Sequence, residues 1–279
     1  MNIGIIGIGL IGGSIALRLK DTDFKGKIVG IEKNEGHQKK ALQLGLVDEI
    51  VSIKEAISTC KVLILTVPVD AIIKLLPEIL DQITDQVVID MGSTKTNILH
   101  LIENHPKRGR YIAAHPMAGT EYSGPDAALP NLYKDKVMVY VDAFRSDEDA
   151  FEIADSITEL LEMKTVFMNA EEHDTHTAYV SHISHLTSFA LALTVLEKEK
   201  SQGRIFELAG SGFESTVRLA KSSPDMWTPI FKQNRTNVLE VLEEHIKQLN
   251  LLHSKIKEED YDGLHKLIKK SNKIKRIIK

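Results

Sequence analysis

A single cysteine, Cys60, stands in the whole 279-residue chain, so no intrachain disulfide forms, and no cysteine–histidine cluster has metal-ligand spacing. A reducing cytoplasm and a metal-free site are the expectations. No uninterrupted apolar run approaches the roughly 20 residues that span a bilayer. Met1–Ile6 leads straight into glycines, without the basic segment, long apolar core and cleavage site of a signal peptide. A soluble, unprocessed chain with no membrane partner is therefore expected. A charge excess of one sign is also missing: 35 basic residues face 39 acidic ones, a net −4, which leaves no electrostatic footprint for nucleic acid. Only the stretch from Lys266 to Lys279 is densely basic, with Lys269, Lys270, Lys273, Lys275 and Arg276 interleaved with Leu267, Ile268, Ile274, Ile277 and Ile278. It reads as the solvated face of a terminal helix. Repeats, low-complexity tracts and Pro/Gly/Ser-rich linkers are absent, so two halves would pack together rather than swing on a tether.

What is present is a change of rhythm. Hydrophobic residues make up 43% of the chain, enough for a substantial core, and the length favours two domains. Up to about residue 168, short β-rich runs at 2–6, 27–31, 62–66, 87–89, 111–114, 137–141 and 165–168 alternate with helical patterns such as 11–20, 37–44 and 72–80. This is the pattern of a doubly wound α/β domain, expected over 1–169. From 170 to 279 the pattern is all helical, with candidates at 174–200, 205–209, 216–221, 227–256 and 261–275. Long amphipathic helices in so small a domain bury little surface alone, which points to a homodimer built through them.

The segment Gly7-Ile8-Gly9-Leu10-Ile11-Gly12-Gly13-Ser14 follows the first strand and opens a helix. In that context GxGxxG is informative. Gly7 makes the tight turn, Gly9 admits a pyrophosphate against the backbone, and Gly12 lets helix pack on strand, while the helix N-terminus offers unpaired N–H groups. Twenty residues beyond Gly12, Glu32 ends the second strand, where a carboxylate accepts from both hydroxyls of an adenosine ribose. That selects NAD over NADP, with the adjacent Lys33 leaving some room for the 2′-phosphate. Thr66 and Pro68, at the end of the run 62–66, are counted with Gly7, Ile8, Gly9, Leu10, Ile11, Gly12 and Glu32 as cofactor residues.

Two further loops leave strand ends on the side where doubly wound sheets bind ligands. Asp90-Met91-Gly92-Ser93-Thr94-Lys95 is one, and Ala114-His115-Pro116-Met117-Ala118-Gly119-Thr120-Glu121 the other. His115 is the acid–base candidate, because a neutral imidazole accepts a hydroxyl proton near neutral pH. Ser93 reads either as a hydrogen-bond partner of the reacting hydroxyl or imidazole, or as a helix N-cap. Ser181-His182-Ile183-Ser184-His185-Leu186 puts two histidines on one helix face. Binding of an anionic substrate is preferred there to a metal site completed by Asp174 or His176. His173 and His176 read as surface groups or as groups standing behind the pocket. Arg218 follows a glycine turn, and its guanidinium suits either a substrate carboxylate or an ion pair with Glu214.

Taken together, the GIGLIGGS turn, the GSTK loop around Ser93, HPMAGTE from His115, SHISHL from Ser181 and the run from Gly212 through Trp227 resemble the prephenate/arogenate dehydrogenase family over nearly the full length. The resemblance implies a Rossmann domain followed by an all-helical dimerisation domain. It also implies NAD-dependent oxidative decarboxylation of a cyclohexadienol in tyrosine biosynthesis. It makes His115 the base, with Ser93 orienting the hydroxyl and the imidazole. Arg218 would hold a substrate carboxylate, His182 and His185 would line the pocket, and Glu121 would join a polar network controlling its opening. Where related sequences often carry an acid before this arginine, Ser215, Thr216 and Val217 stand here. The extra regulatory or mutase domain of some relatives is not expected here. A pyruvyl side chain (prephenate) is favoured over an alanyl one (arogenate). A β-hydroxyacid dehydrogenase is the second reading, although SHISHL occupies the place of the lysine such enzymes use, and an NAD-sensing scaffold is the third.

Overall fold

The computed structural model describes residues 1–277. Ile278 and Lys279, the end of the basic stretch, lie outside the described residues. Contacts divide the chain into two compact units, residues 1–234 and the helices from Arg235 on.

The first unit is built on one eight-stranded sheet. Its strands are β1 (Ile3–Ile6), β2 (Ile28–Ile31), β3 (Glu49–Ile50), β4 (Val62–Leu65), β5 (Val87–Asp90), β6 (Tyr111–Pro116), β7 (Val137–Val141) and β8 (Lys164–Met168). The order is β3-β2-β1-β4-β5-β6-β7-β8, so the winding reverses between β1 and β4. Ligands bind beyond the strand ends at such a reversal. All neighbours are parallel except β6 and β7, which run antiparallel with His115 opposite Val139. The sequence gives no sign of this reversal, because β7 alternates no differently from its parallel neighbours.

The inner strands β1, β2, β4, β5 and β6 are buried along their length because both faces are covered, whereas the edge strands β3 and β8 are largely exposed. Ile3, Ile5, Val62, Ile64, Val87 and Ile89 face one core with Ile15, Leu19 and Ile157. Ile6, Leu63, Leu65 and Val88 face the other with Leu76, Leu80 and Ile98. The covering helices are α1 (Leu10–Lys20), α2 (Glu35–Gln43), α3 (Ile53–Thr59), α4 (Val69–Gln82), α5 (Thr96–Leu101) and α6 (Glu148–Leu160). Asn34 and Ser52 cap α2 and α3 by accepting from the N–H groups of His37 and Glu55. The short elements β3 and α3 carry too few residues to show a period.

The helical region begins with α7 (Ala170–Thr177), capped by Asn169, and passes through a π turn at Ala178–His182 into α8 (Ile183–Glu199). The helix expected at 174–200 thus starts a turn earlier and carries a π turn where the two histidines begin. By length and composition 170–199 is apolar enough to cross a membrane, and little of it is covered within the chain. Val180 and Leu193 are 66% and 67% exposed. Then come α9 (Ser211–Val217) and α10 (Pro224–Gln233). Here the expected helix 227–256 is corrected. It breaks at Asn234, whose backbone leaves the helical region and whose buried side chain donates to the carbonyl of Asp174 at 2.6 Å. A tertiary hydrogen bond therefore decides the break. The contact boundary lies at 234 rather than at the compositional change at 169/170, because α10 is tied to the sheet domain through Asp70 with Lys232 and Asn97 with Gln233.

The second unit contains α11 (Arg235–Lys257) and α12 (Tyr261–Ser271), followed by a 3-10 turn at Asn272–Arg276. Asp260 caps α12 through the N–H of Gly263 and pairs with Lys255 at 2.7 Å.

Candidate active site

The cofactor cradle forms where β1 meets α1. Gly7 has φ +94°, a backbone conformation that disfavours side chains. Thr66, at the end of β4, donates its hydroxyl to the carbonyls of Ile6 and Gly7 and so holds the turn from behind. A Cβ on Gly12 would stand 2.2 Å from the Gly7 carbonyl oxygen, whereas one on Gly9 would meet only the Gly124 nitrogen, at 3.9 Å. Gly12 is thus required by packing, and Gly9 leaves open space before an N-terminus of α1 that no side chain caps. The Glu32 carboxylate accepts from the backbone N–H of Ile8 at 3.2 Å and of Asn34 at 2.9 Å, which holds it at the end of β2 beside the glycine turn. These residues fit a dinucleotide: an open glycine approach, free N–H groups for phosphate, and an anchored carboxylate for ribose hydroxyls. Pro68 precedes α4 as its N-cap residue.

The second half of the site is a buried polar chain behind His115, which lies near the carboxyl end of β6. Its Nδ1 lies 2.8 Å from Nε2 of His173 in α7, and Nδ1 of His173 lies 2.8 Å from Oδ1 of Asp174. The same carboxylate accepts from the backbone N–H groups of Lys95 and Thr96, at 2.9 Å each. Asp174 therefore supplies the cap of α5 from another element, and Ser93 does not act as that cap. Ser93 is half-buried, and its hydroxyl has no hydrogen bond among the described residues.

Beneath that loop Lys95 is fully buried and pairs with Asp90 at 2.8 Å. Asp90 also accepts from the Tyr111 hydroxyl at 2.7 Å and from Gly92 N at 2.6 Å. Breaking one partner of such a buried pair strands the other charge, so the pair fixes the Gly92–Thr94 backbone as a unit.

Burial, then the electrostatic influence of the neighbouring His173, Lys95 and His182, pushes His115 well below the ordinary imidazole value. It is therefore neutral at physiological pH, the state a general base needs. Asp174 is pushed up by burial, but its bonds to His173 and Thr96 outweigh this and hold it below the usual carboxylate value.

His182 and His185 converge on Trp227 of α10. The His185 ring stacks on the indole at a 3.5 Å centroid distance, and His182 meets it edge-on at 5.8 Å. Burial pushes His182 down to about 4, partly opposed by Asp174. Such histidines must be charged on unfolding in acid. Above about pH 6.5 they are neutral in both states and stability is unaffected, whereas between about 6.5 and 4 only the unfolded chain takes up these protons. The melting temperature is therefore expected to fall through that window, with His182 alone contributing a loss on the order of 3 kcal/mol. Calorimetry across the window checks this, and a constant Tm contradicts it.

Arg218 pairs with Glu121 at 2.6 Å, not with Glu214. The arginine side chain is 48% exposed and the glutamate 9%. The glutamate's own backbone N–H, and then Arg218, hold its carboxyl below the usual range. Among the described residues, no group of three or more His, Cys, Asp or Glu side chains is arranged to hold a metal ion.

Residues 15–167 match the family model described as "Prephenate dehydrogenase, nucleotide-binding domain", and 169–270 that described as "Prephenate dehydrogenase, dimerization domain". The chain belongs to the prephenate dehydrogenase family. Prephenate dehydrogenase of Bacillus subtilis is 29% identical over 95% of this chain and 72% of its own length. A cyclohexadienyl dehydrogenase of Zymomonas mobilis is 29% identical over 100% and 96%. Among solved structures, prephenate dehydrogenase from Aquifex aeolicus in complex with hydroxyphenyl propionate and NAD+ is 33% identical, covers 99% of this chain and 97% of that one, and superimposes with a TM-score of 0.89.

In this prephenate dehydrogenase family member the tertiary structure brings Gly7, Glu32 and Thr66 together, and separately gathers His115, His173 and Asp174. Of the two readings of His173, a surface group or one behind the pocket, the structure favours the second, while the sequence left Asp174 only as a possible metal ligand and gave no role to Lys95 or Trp227. An Asp beside a His ahead of SHISHL was visible, but their contact with His115 depends on how α7 docks against β6.

Proposed function

We propose that this chain is a prephenate dehydrogenase, catalysing the NAD-dependent oxidative decarboxylation of prephenate to 4-hydroxyphenylpyruvate. The observation that carries the reading is the buried neutral imidazole of His115, anchored through one nitrogen at the sheet edge where the glycine turn lies. When bound, NAD supplies the hydride acceptor. His115 takes the proton of the C4 hydroxyl through Nε2, its nitrogen without a partner among the described residues. C4 then loses hydride, and the C1–carboxylate bond breaks to release carbon dioxide, its electron pair completing the aromatic ring. Ser93 orients the hydroxyl. Arg218 binds a substrate carboxylate and exchanges it for Glu121, which makes that pair the closed state of an entrance. His182 and His185 line the side-chain end. Gly7, Ile8, Gly9, Leu10, Ile11, Gly12, Thr66, Pro68 and Glu32 hold the cofactor. The functional division is proposed at 169/170, and a cytoplasmic location accompanies this role.

The test is NADH formation from prephenate and from arogenate, each with NAD and NADP. Prephenate with NAD should give the highest kcat/KM; faster turnover of arogenate would transfer the reading to arogenate dehydrogenase, represented among solved structures by the Synechocystis protein at 26% identity. Arg218→Ala should raise KM on the order of tenfold to a hundredfold with a smaller effect on kcat, the loss of a charge-assisted hydrogen bond. An unchanged KM removes Arg218 from the binding site.

We also propose a homodimer. The exposed Val180, Leu193 and Leu196 of the helical region and the family model's description as a dimerization domain support it. Light scattering at micromolar concentration should give twice the chain mass, and a monomeric mass would exclude it.

A further inference from the structure

Behind the catalytic nitrogen of His115 stands a carboxylate–imidazole–imidazole chain whose hydrogen-bond direction is settled at its far end. We propose that Asp174 and His173 are positioning residues that set the tautomer of His115, forcing its proton onto Nδ1 and leaving Nε2 as a bare lone pair. This rests on the reading of His115 as the base.

The argument runs from the carboxylate outwards. Asp174 receives two backbone N–H groups, those of Lys95 and Thr96, which favour its ionised form. An ionised carboxylate only accepts, so His173 must place its proton on Nδ1, 2.8 Å from Oδ1. A neutral imidazole with a proton on Nδ1 has only a lone pair on Nε2. His173 Nε2 therefore accepts, and the group 2.8 Å away, Nδ1 of His115, must donate. His115 Nε2 is then the acceptor that proton abstraction requires. Turning His173 round would put an N–H against His115 Nδ1 and a proton on His115 Nε2, where it cannot act as a base. His115, His173 and Asp174 are all buried, and water is thus kept from breaking the chain. The ionisable groups facing this chain are Lys95 from the loop after β5, itself held by Asp90, and His182 from the π turn, which lies 3.3 Å from the Asn234 amide. Lys95 opposes a positive charge on His115, as does His182 once it is protonated in acid, and Asp174 is the negative group in the chain that stabilises the imidazolium once the proton arrives.

The direct measurement is a long-range proton–nitrogen correlation spectrum of the full-length protein labelled with 15N-histidine, at about pH 8, above the ordinary histidine range. Signals are assigned by their loss in His115→Asn and in His173→Gln. His115 and His173 should both appear as Nδ1–H tautomers. A His115 that carries its proton on Nε2 overturns the inference. Kinetics supply a second readout. Asp174→Asn removes the charge in either amide orientation, and should lower kcat by about 10²-fold or more with little change in KM. The acid limb of the kcat profile should also move to lower pH, because the imidazolium loses its anion; a folded variant with wild-type kcat and pH profile contradicts the role. Asp174 also caps α5, so should that variant fail to fold, the wild-type spectrum decides. The two readings fail separately: an active His115→Asn removes the base assignment itself, while an inactive one with an Nε2–H His115 in the parent removes only the tautomer control.

Discussion

His115→Asn is expected to lower kcat by about 10²- to 10⁴-fold, the range a positioned general base contributes. NAD affinity should remain near that of the parent, because the imidazole sits on β6 and the dinucleotide cradle on β1, β2 and β4. Asparagine retains a donor for the Nε2 of His173, so the buried nitrogen 2.8 Å away need not be stranded. The loss should appear in kcat and in kcat/KM alike, as when an interaction made only in the transition state is removed. Stopped-flow measurement of NADH formation, beside a direct NAD titration, separates the two. A variant that turns over prephenate at the parental rate would falsify the assignment of His115 as the base.

The other large effect is expected at the glycine turn. A methyl group at Gly12 meets the Gly7 carbonyl oxygen at 2.2 Å, the Thr66 hydroxyl at 2.6 Å and the Ile5 side chain at 2.8 Å. The hydroxyl can rotate, but the carbonyl belongs to the turn that places Gly9 and the start of α1. Gly12→Ala should therefore cost about 1–3 kcal/mol of stability, as overpacking does, and abolish measurable NAD binding through the displaced turn. Gly9→Ala is the control. Its methyl enters open space in the free protein, so Tm should be unchanged while NAD binding weakens, because the group stands where the pyrophosphate approaches the backbone. Thermal melts and NAD titrations of both variants check this. Unchanged NAD binding by Gly9→Ala would mean that the space before Gly9 is not the cofactor's.

How far the site was legible depends on the range of the contacts that build it. The glycine turn and the acid held beside it were legible, because Gly7, Gly9 and Gly12 lie within one strand–turn–helix and Glu32 ends the very next strand. His115 and Ser93 were placed at strand ends for the same reason. Arg218 was read either as a binding group or as a partner of Glu214, four residues away in sequence, whereas the structure pairs it with Glu121. The antiparallel β7, the helix break at Asn234 and the π turn before His185 likewise left no mark in the periodicity.

Alone, the sequence determined the doubly wound order of elements, the glycine turn with an acid at the end of the next strand, and the presence of one imidazole on the ligand side of the sheet. Those features follow from short-range rules, in which strand alternation, helix period and positive-φ glycine act within a few residues. Only the tertiary structure decided the state of that imidazole. His173 lies 58 positions from His115, and Asp174 lies 79 from the Lys95 N–H it accepts. The burial that keeps His115 neutral and the hydrogen-bond direction that frees its Nε2 exist only once α7 has packed against the loop after β5.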